Sequence, residues 1–293
     1  MFRVVSRSAI AFSAFVFYLC MGAADNSSYQ KSVEKWRQDY ETKLRGDDDW
    51  LTVAGLFWLH EGENSFGSAA GNDIVLPVPV PAKAGHFDLN AGKVTAHINA
   101  GAPITQHGKP VTTVELKPDT PDDRLVAGDA SFYVHAGGKR LAIRLKDKNS
   151  QLRKDFKGLH WYPVHEKYRI VADWVAYPKP QTAQIGIIHG GQAETQFVGH
   201  ATFMLDGRKL KLDIGEDSPG HLFMVFRDLT SKTGTYQAAR FLDPPPPKDG
   251  KIELDFNKAY NPPCAYNPYT TCPLPSPGNR LQVAIPAGEK RYH

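Results

Sequence analysis

Between Trp50 and Phe256 apolar residues come in short runs that a turn signal interrupts every eight to twelve residues or so, and this punctuation decides the fold class. VTAHINA, PVTTVEL, ASFYVHA and RLAIRLKD precede position 148; QIGIIHG, TQFVGHATFML, RKLKLDI, HLFMVFRD, TYQAARFL and KIELDF follow it. None is long enough for a stable helix, and the better ones alternate apolar and polar residues, the two-residue period of a half-buried strand. Such a chain buries a core only by pairing strands into a sandwich or barrel. Gly137-Gly138 and Asp206-Gly207 each separate two strand-like runs and read as tight hairpins. In VLPVPVPAKAG three prolines cannot donate to a ladder, which makes it an edge or a loop, and Pro244 to Pro247 form a stiff spacer. The expected fold is mainly β: a β-sandwich over 49–148, then a second β-rich sandwich or barrel unit over 149–293.

One segment departs from this rhythm. In YQKSVEKWRQDYETKLRG the residues Tyr29, Val33, Trp36, Tyr40 and Leu44 fall on one helical stripe, stopped at Gly46, and capping oxygens at Asp25 to Ser28 precede it. This predicts one amphipathic helix over 25–48, braced against the β body. Upstream lie Arg3 and Arg7, an uncharged apolar run from Ser8 to Leu19, and a small-residue exit at Gly22-Ala23-Ala24, the layout of a secretory signal peptide over 1–24. The run is shorter than the ~20 residues that span a bilayer. Bulky Phe17-Tyr18-Leu19 before Cys20 argues against lipidation there. The expected location is outside the cytoplasm, periplasmic or extracellular, without a membrane span.

Cleavage after Ala24 would leave 33 basic against 31 acidic residues, and no Lys/Arg stripe gives the footprint of a nucleic-acid binder. It would also leave Cys264 and Cys272 as the two remaining cysteines. An oxidising compartment favours bonding them, worth about 2.5 kcal/mol by loop-closure entropy. The rival reading, a zinc site, has too few ligands nearby.

From Asp255 the chain reads DFNKAYNPPCAYNPYTTCPLPSPGNRLQVAIPAGEKRYH, with six prolines between Pro262 and Pro277. This is a long irregular loop that prolines and a short disulfide would stiffen, and rigid irregular backbone is where sites tend to sit. That motif, with WLTVAGLFWLHEGENSFGS, RLAIRLKD, FKGLHWYP, TYQAARFL and AGEK, resembles the uncharacterised prokaryotic family called domain of unknown function 1684. The resemblance runs from about Trp50 to Lys290 and implies no activity. Gly67, Asn72 to Leu76 and the Gly108-Lys109 turn are also similar to forkhead-associated domains, β-sandwiches that read phosphothreonine. The likeness is confined to residues 50–147, where Ser68 stands at the position of those domains' arginine and no Ser-x-x-His follows, so at most the sandwich carries over.

Neither G-x-S-x-G, HExxH nor a phosphate loop is present, and no cofactor is expected. Carboxylates need no local motif, which leaves Asp228, Asp255 and Glu289 as candidate acid and base groups. Arg144 and Asp147 end one strand-like run, either as a structural ion pair or as a ligand clamp. The candidate ligand wall sets Asn257, Tyr260, Asn261 and Asn267 of the tail toward Arg144, Asp147 and Arg240, with the bland alternative that the asparagines satisfy their own loop. Binding of a small polar or sugar-like ligand is the leading functional reading. A carboxylate-dependent hydrolase and a structural envelope protein are the alternatives.

Overall fold

The computed structural model describes residues 9–77, 79–188 and 191–292, with backbone alone for 9–26. The first eight residues of the expected signal lie outside the described residues. Helix α1 spans Ala9–Leu44 without a break, so Asp25 to Ser28 lie within it and do not cap it. Nothing from Ser8 to Ser28 is a proline or a glycine pair able to stop a helix that the apolar run has begun. The stripe itself is as expected: Tyr29, Val33 and Leu44 are buried, and Trp36 and Tyr40 half-buried. Among the described residues no helix is long and apolar enough to cross a membrane.

Eleven strands follow: β1 (Val53–Trp58), β2 (Gly62–Gly67), β3 (Ile74–Val75), β4 (Gly85–Asn90), β5 (Lys93–Ile98), β6 (Thr105–Gln106), β7 (Lys109–Pro110), β8 (Thr113–Leu116), β9 (Leu125–Ala127), β10 (Ala130–Gly137) and β11 (Arg140–Asp147). They form two sheets, ordered β1-β11-β10-β9-β6-β7 and β3-β2-β4-β5-β8. The facing sides of both carry apolar residues, among them Phe66, Phe87 and Phe132, whose rings meet at 4.7 to 6.1 Å, so the two sheets close on one core as a sandwich. Gly137 pairs with Arg140 across the expected hairpin, with Gly138 at φ +65°.

A one-turn helix, α2 (Gln151–Asp155), capped by Ser150, leads to six further strands: β12 (Arg169–Gly186), β13 (Gln192–Leu205), β14 (Arg208–Ser218), β15 (His221–Phe226), β16 (Arg240–Leu242) and β17 (Lys251–Asp255). They make one antiparallel sheet, β16-β15-β14-β13-β12-β17, curled into a half-barrel. Leu205 pairs with Arg208, and Asp206 and Gly207 both have positive φ, the twisted two-residue turn that Asp-Gly favours. The chain is thus mainly β with one N-terminal helix.

The tail after β17 is a structural layer. Phe256, Ala259, Leu281, Val283, Ile285 and Ala287 pack onto Phe203, Leu212, Ile214, Met224, Phe226 and Leu254 of the half-barrel. Gly288, at φ +74°, lets the tail backbone lie against the Phe256 and Ala259 carbonyls, where a side-chain carbon would collide with both.

Candidate functional site

The candidate residues of the tail face several structures. Asn257, Tyr260 and Asn267 fasten the tail to different parts of the body, and Asn261 ties it to its own later residues. Arg240 on β16 is fully buried, donates 2.7 Å to Asp228, 3.0 Å to the Ile285 carbonyl and a further bond to the Ala287 carbonyl, and lies over the Phe226 ring. Asp228 also accepts from Thr230 N–H and Oγ1, capping a 3-10 turn. Asp255 accepts the Tyr29 hydroxyl at 2.7 Å, and Asn257 donates to that hydroxyl at 2.8 Å, which pins α1 to the end of β17. Asn257 further brackets His165, accepting from its N–H and donating to its carbonyl, both at 3.0 Å.

Asn261 donates to Glu289 from backbone and side chain at 2.8 and 2.7 Å, and the Tyr266 hydroxyl donates to the same carboxylate. Burial pushes Glu289 up to about 7, against the lowering influence of these donors and of Arg240. Asn267 donates to the Trp50 and Val53 carbonyls at 2.9 and 2.7 Å, tying the tail to the start of β1, and also closes its own turn by accepting from Tyr269 N–H. Asn279 likewise bridges β14 and β15 through Asp213 and Val225. The amides do satisfy backbone, but mostly the body's backbone and seldom their own loop's.

Arg144 and Asp147 do not pair. Asp147 accepts from Asn149 N–H at 2.8 Å where the strand turns, whereas Arg144 donates to Thr271 Oγ1 at 3.3 Å and lies over Trp50. The strand's alternation separates the two side chains. The structure therefore does not gather Arg144, Asp147, Arg240 and the asparagines into one wall, and Asp228, Asp255 and Glu289 are buried in three separate hydrogen-bond networks. Cys264 and Cys272, expected to be bonded, are adjacent free thiols: Cys264 N–H points at Cys272 Sγ at 3.3 Å. The Cys272 contact draws the Cys264 thiol below its usual range while burial opposes it, and Cys272 is pushed up.

Tyr260 is the tail candidate that reaches open space. A cleft of about 530 Å³ lies between α1 and the half-barrel, with Trp36, Tyr40, Tyr260 and Phe241 among its walls. Trp36 and Tyr40 stack at 5.4 Å and Tyr40 meets Tyr260 at 5.0 Å. Carboxylates at Asp39, Asp49, Asp217 and Asp243 surround these rings, offset by Lys43 and His221. Tyr260 donates to both Asp243 oxygens at 3.0 and 3.1 Å, and His221 Nδ1 meets Asp217 at 2.7 Å. Burial holds the Asp243 carboxyl above its usual range and the Asp217 charge adds to this, while Tyr260, His221 and Lys43 counteract. Trp36 and Tyr40 were legible as a helix stripe, but Asp217, His221 and Asp243 sit at strand ends where nothing local marks them. Among the described residues no group of three or more His, Cys, Asp or Glu is placed to hold a metal.

A family model described as "Protein of unknown function (DUF1684)" matches residues 154–290, the half-barrel and its tail, a narrower span than the resemblance from Trp50. The solution NMR structure of an uncharacterized protein from Haloarcula marismortui is 33% identical, over 47% of this chain and 78% of that one, with a TM-score of 0.40. No curated protein matches. The half-barrel and tail carry that family's pattern over about half of the chain, and the chain belongs to the DUF1684 family.

Proposed function

We propose that this chain is an exported protein that holds a small polyhydroxylated, sugar-like ligand in the cleft beneath α1. The observation that carries this reading is the composition of the cleft: the Trp36, Tyr40 and Tyr260 rings with carboxylates around them. Aromatic faces stack on the C–H faces of a sugar, and carboxylates accept from its hydroxyls. Isothermal calorimetry against glucose, galactose, maltose and cellobiose tests it. One of them should bind saturably, and Tyr260→Phe or Asp243→Asn should weaken that binding about tenfold, the worth of one hydrogen bond to a charged group. No heat with any of the four sugars, or unchanged affinity in both folded variants, would count against it.

A second reading, hydrolysis of the bound ligand, is favoured by Asp243. Its raised pKa is the direction a general acid needs, and Asp217 supplies another carboxylate close enough for its charge to act on Asp243. Release of reducing ends from the bound disaccharide, lost in Asp243→Asn, distinguishes catalysis from binding.

Export and the disulfide belong to the same proposal. Their support is the tripartite N-terminus and two thiols already in contact. The intact mass of protein recovered from outside the cytoplasm should lack residues 1–24 and be two hydrogens short of the reduced form. A full-length mass, an acylated Cys20 or two alkylatable thiols would refute it.

A further inference from the structure

At the junction of the sandwich and the tail, three residues from distant parts of the sequence form a linear relay. Asp119 Oδ1 lies 2.8 Å from His135 Nδ1, and His135 Nε2 lies 2.9 Å from Thr271 Oγ1. The proton positions follow from chemistry. A carboxylate only accepts, so Nδ1 carries a hydrogen, and in the neutral imidazole Nε2 is an acceptor. The Arg144 guanidinium only donates, so Thr271 oxygen accepts from it at 3.3 Å and keeps its own hydrogen for Nε2. The polarity runs from hydroxyl to imidazole to carboxylate, with a cation beside the oxygen. That is the arrangement by which an alcohol is turned into a nucleophile.

The surroundings fit the same role. Asp119 is held in the left-handed region at φ +49°, and the Ala136 N–H donates to both of its oxygens. Burial acts to raise the Asp119 carboxyl, but the His135 bond, the Ala136 N–H and the Arg144 charge bring it below its usual range, keeping it ionised. The Arg144 side chain is buried, and its Nε has no partner among the described residues. Asp119, at one end of the relay, and Arg144, bonded to Thr271 at the other, line a cavity of about 340 Å³ with Trp50, Tyr133 and Lys146, while His135 and Thr271 lie just behind this lining. Asp49 and Trp50 form part of this cavity and of the cleft beneath α1.

We propose that Thr271, His135 and Asp119 form an acyl-transfer centre that hydrolyses carboxylic esters, with Thr271 as nucleophile, His135 as general base and Asp119 positioning the imidazole. Thr271 Oγ1 attacks the ester carbonyl carbon while its proton passes to His135 Nε2. The carbon–alkoxide bond breaks, the alcohol leaves with that proton, and an acyl-Thr271 ester remains. Water, deprotonated by the same nitrogen, then attacks the acyl carbon and releases the acid, restoring the threonine. Arg144 donates to the attacking Thr271 oxygen, a cation beside it as its proton leaves.

The test uses p-nitrophenyl acetate and butyrate with the purified protein, together with a fluorophosphonate probe mapped by tandem mass spectrometry. The expected result is turnover and a label on Thr271. Thr271→Ala and His135→Ala should each lower kcat at least about 100-fold. Thr271→Ser should keep turnover, and Asp119→Asn should lower kcat with KM unchanged. Circular dichroism melting establishes that each variant is folded, and should Thr271→Ala fail to fold, the serine and asparagine variants decide. A hydrogen-bonded strut with no chemistry would leave Thr271 unlabelled, and hydrolysis at wild-type rate in Thr271→Ala or Asp119→Asn would equally overturn the proposal.

Discussion

Replacing Arg240 with alanine is expected to destabilise the protein by about 3–5 kcal/mol, the cost of stranding a buried carboxylate. Arg240 and Asp228 have side-chain exposures of 1% and 0%, so water cannot take the place of the lost partner. Two tail carbonyls, of Ile285 and Ala287, lose their donor at the same time, and the tail layer over Phe226 loosens with them. Urea unfolding measures the loss. Adding Asp228→Asn to the Arg240→Ala background should recover part of it, because a neutral amide is cheaper to leave buried than a charge. A loss below about 1 kcal/mol, the worth of an exposed pair, would mean that the clamp does not hold the tail.

Glu289 should make the protein less stable as pH rises from about 4.5 to about 7. Its folded pKa lies above the unfolded one, so between those values the native state binds the extra proton and each step upward in pH favours unfolding. The contribution is complete below the unfolded value and gone above about 7, a change of about 3 kcal/mol at 1.4 kcal/mol per pH unit. Glu289→Gln removes the titration while keeping an oxygen for Asn261 or Tyr266. The stability difference between wild type and Glu289→Gln, followed by urea titration at several pH values, should therefore slope across this window and flatten outside it. A difference independent of pH would show that the carboxyl titrates normally, and taking the difference cancels the other groups.

The strands and hairpins were legible because their signals are local. Asp206-Gly207 needs only two residues with positive φ, and the segments that become β10 and β11 show a rough apolar–polar alternation within eight residues of sequence each. The tail was legible as irregular and rigid, but not as a sheet-covering layer, because Asn267 and Asn279 are held by bonds to backbone far away in sequence. No spacing rule distinguishes an amide that faces a ligand from one that faces the Trp50 carbonyl. Pairing Arg144 with Asp147 failed for a related reason, since proximity along a strand says little once the strand turns. The relay of Asp119, His135 and Thr271 spans 16 and then 136 residues, so only the docking of the tail on the sandwich brings it together.

The fastening of α1 by the tail also sets an order in time. Tyr29 is among the first residues of the described side chains to be synthesised, and its partners Asp255 and Asn257 follow 226 and 228 residues later. Contacts this far apart close only when nearly all of the polypeptide has emerged, and they slow the search for the native state. During translation the helix has no finished surface to dock on, and the half-barrel core stays uncovered until the final segment arrives. A ribosome stalled anywhere before Ile285 would hold a nascent chain with bare apolar sheet, a target for chaperones and proteases, whereas a chain released at full length can close helix and tail together.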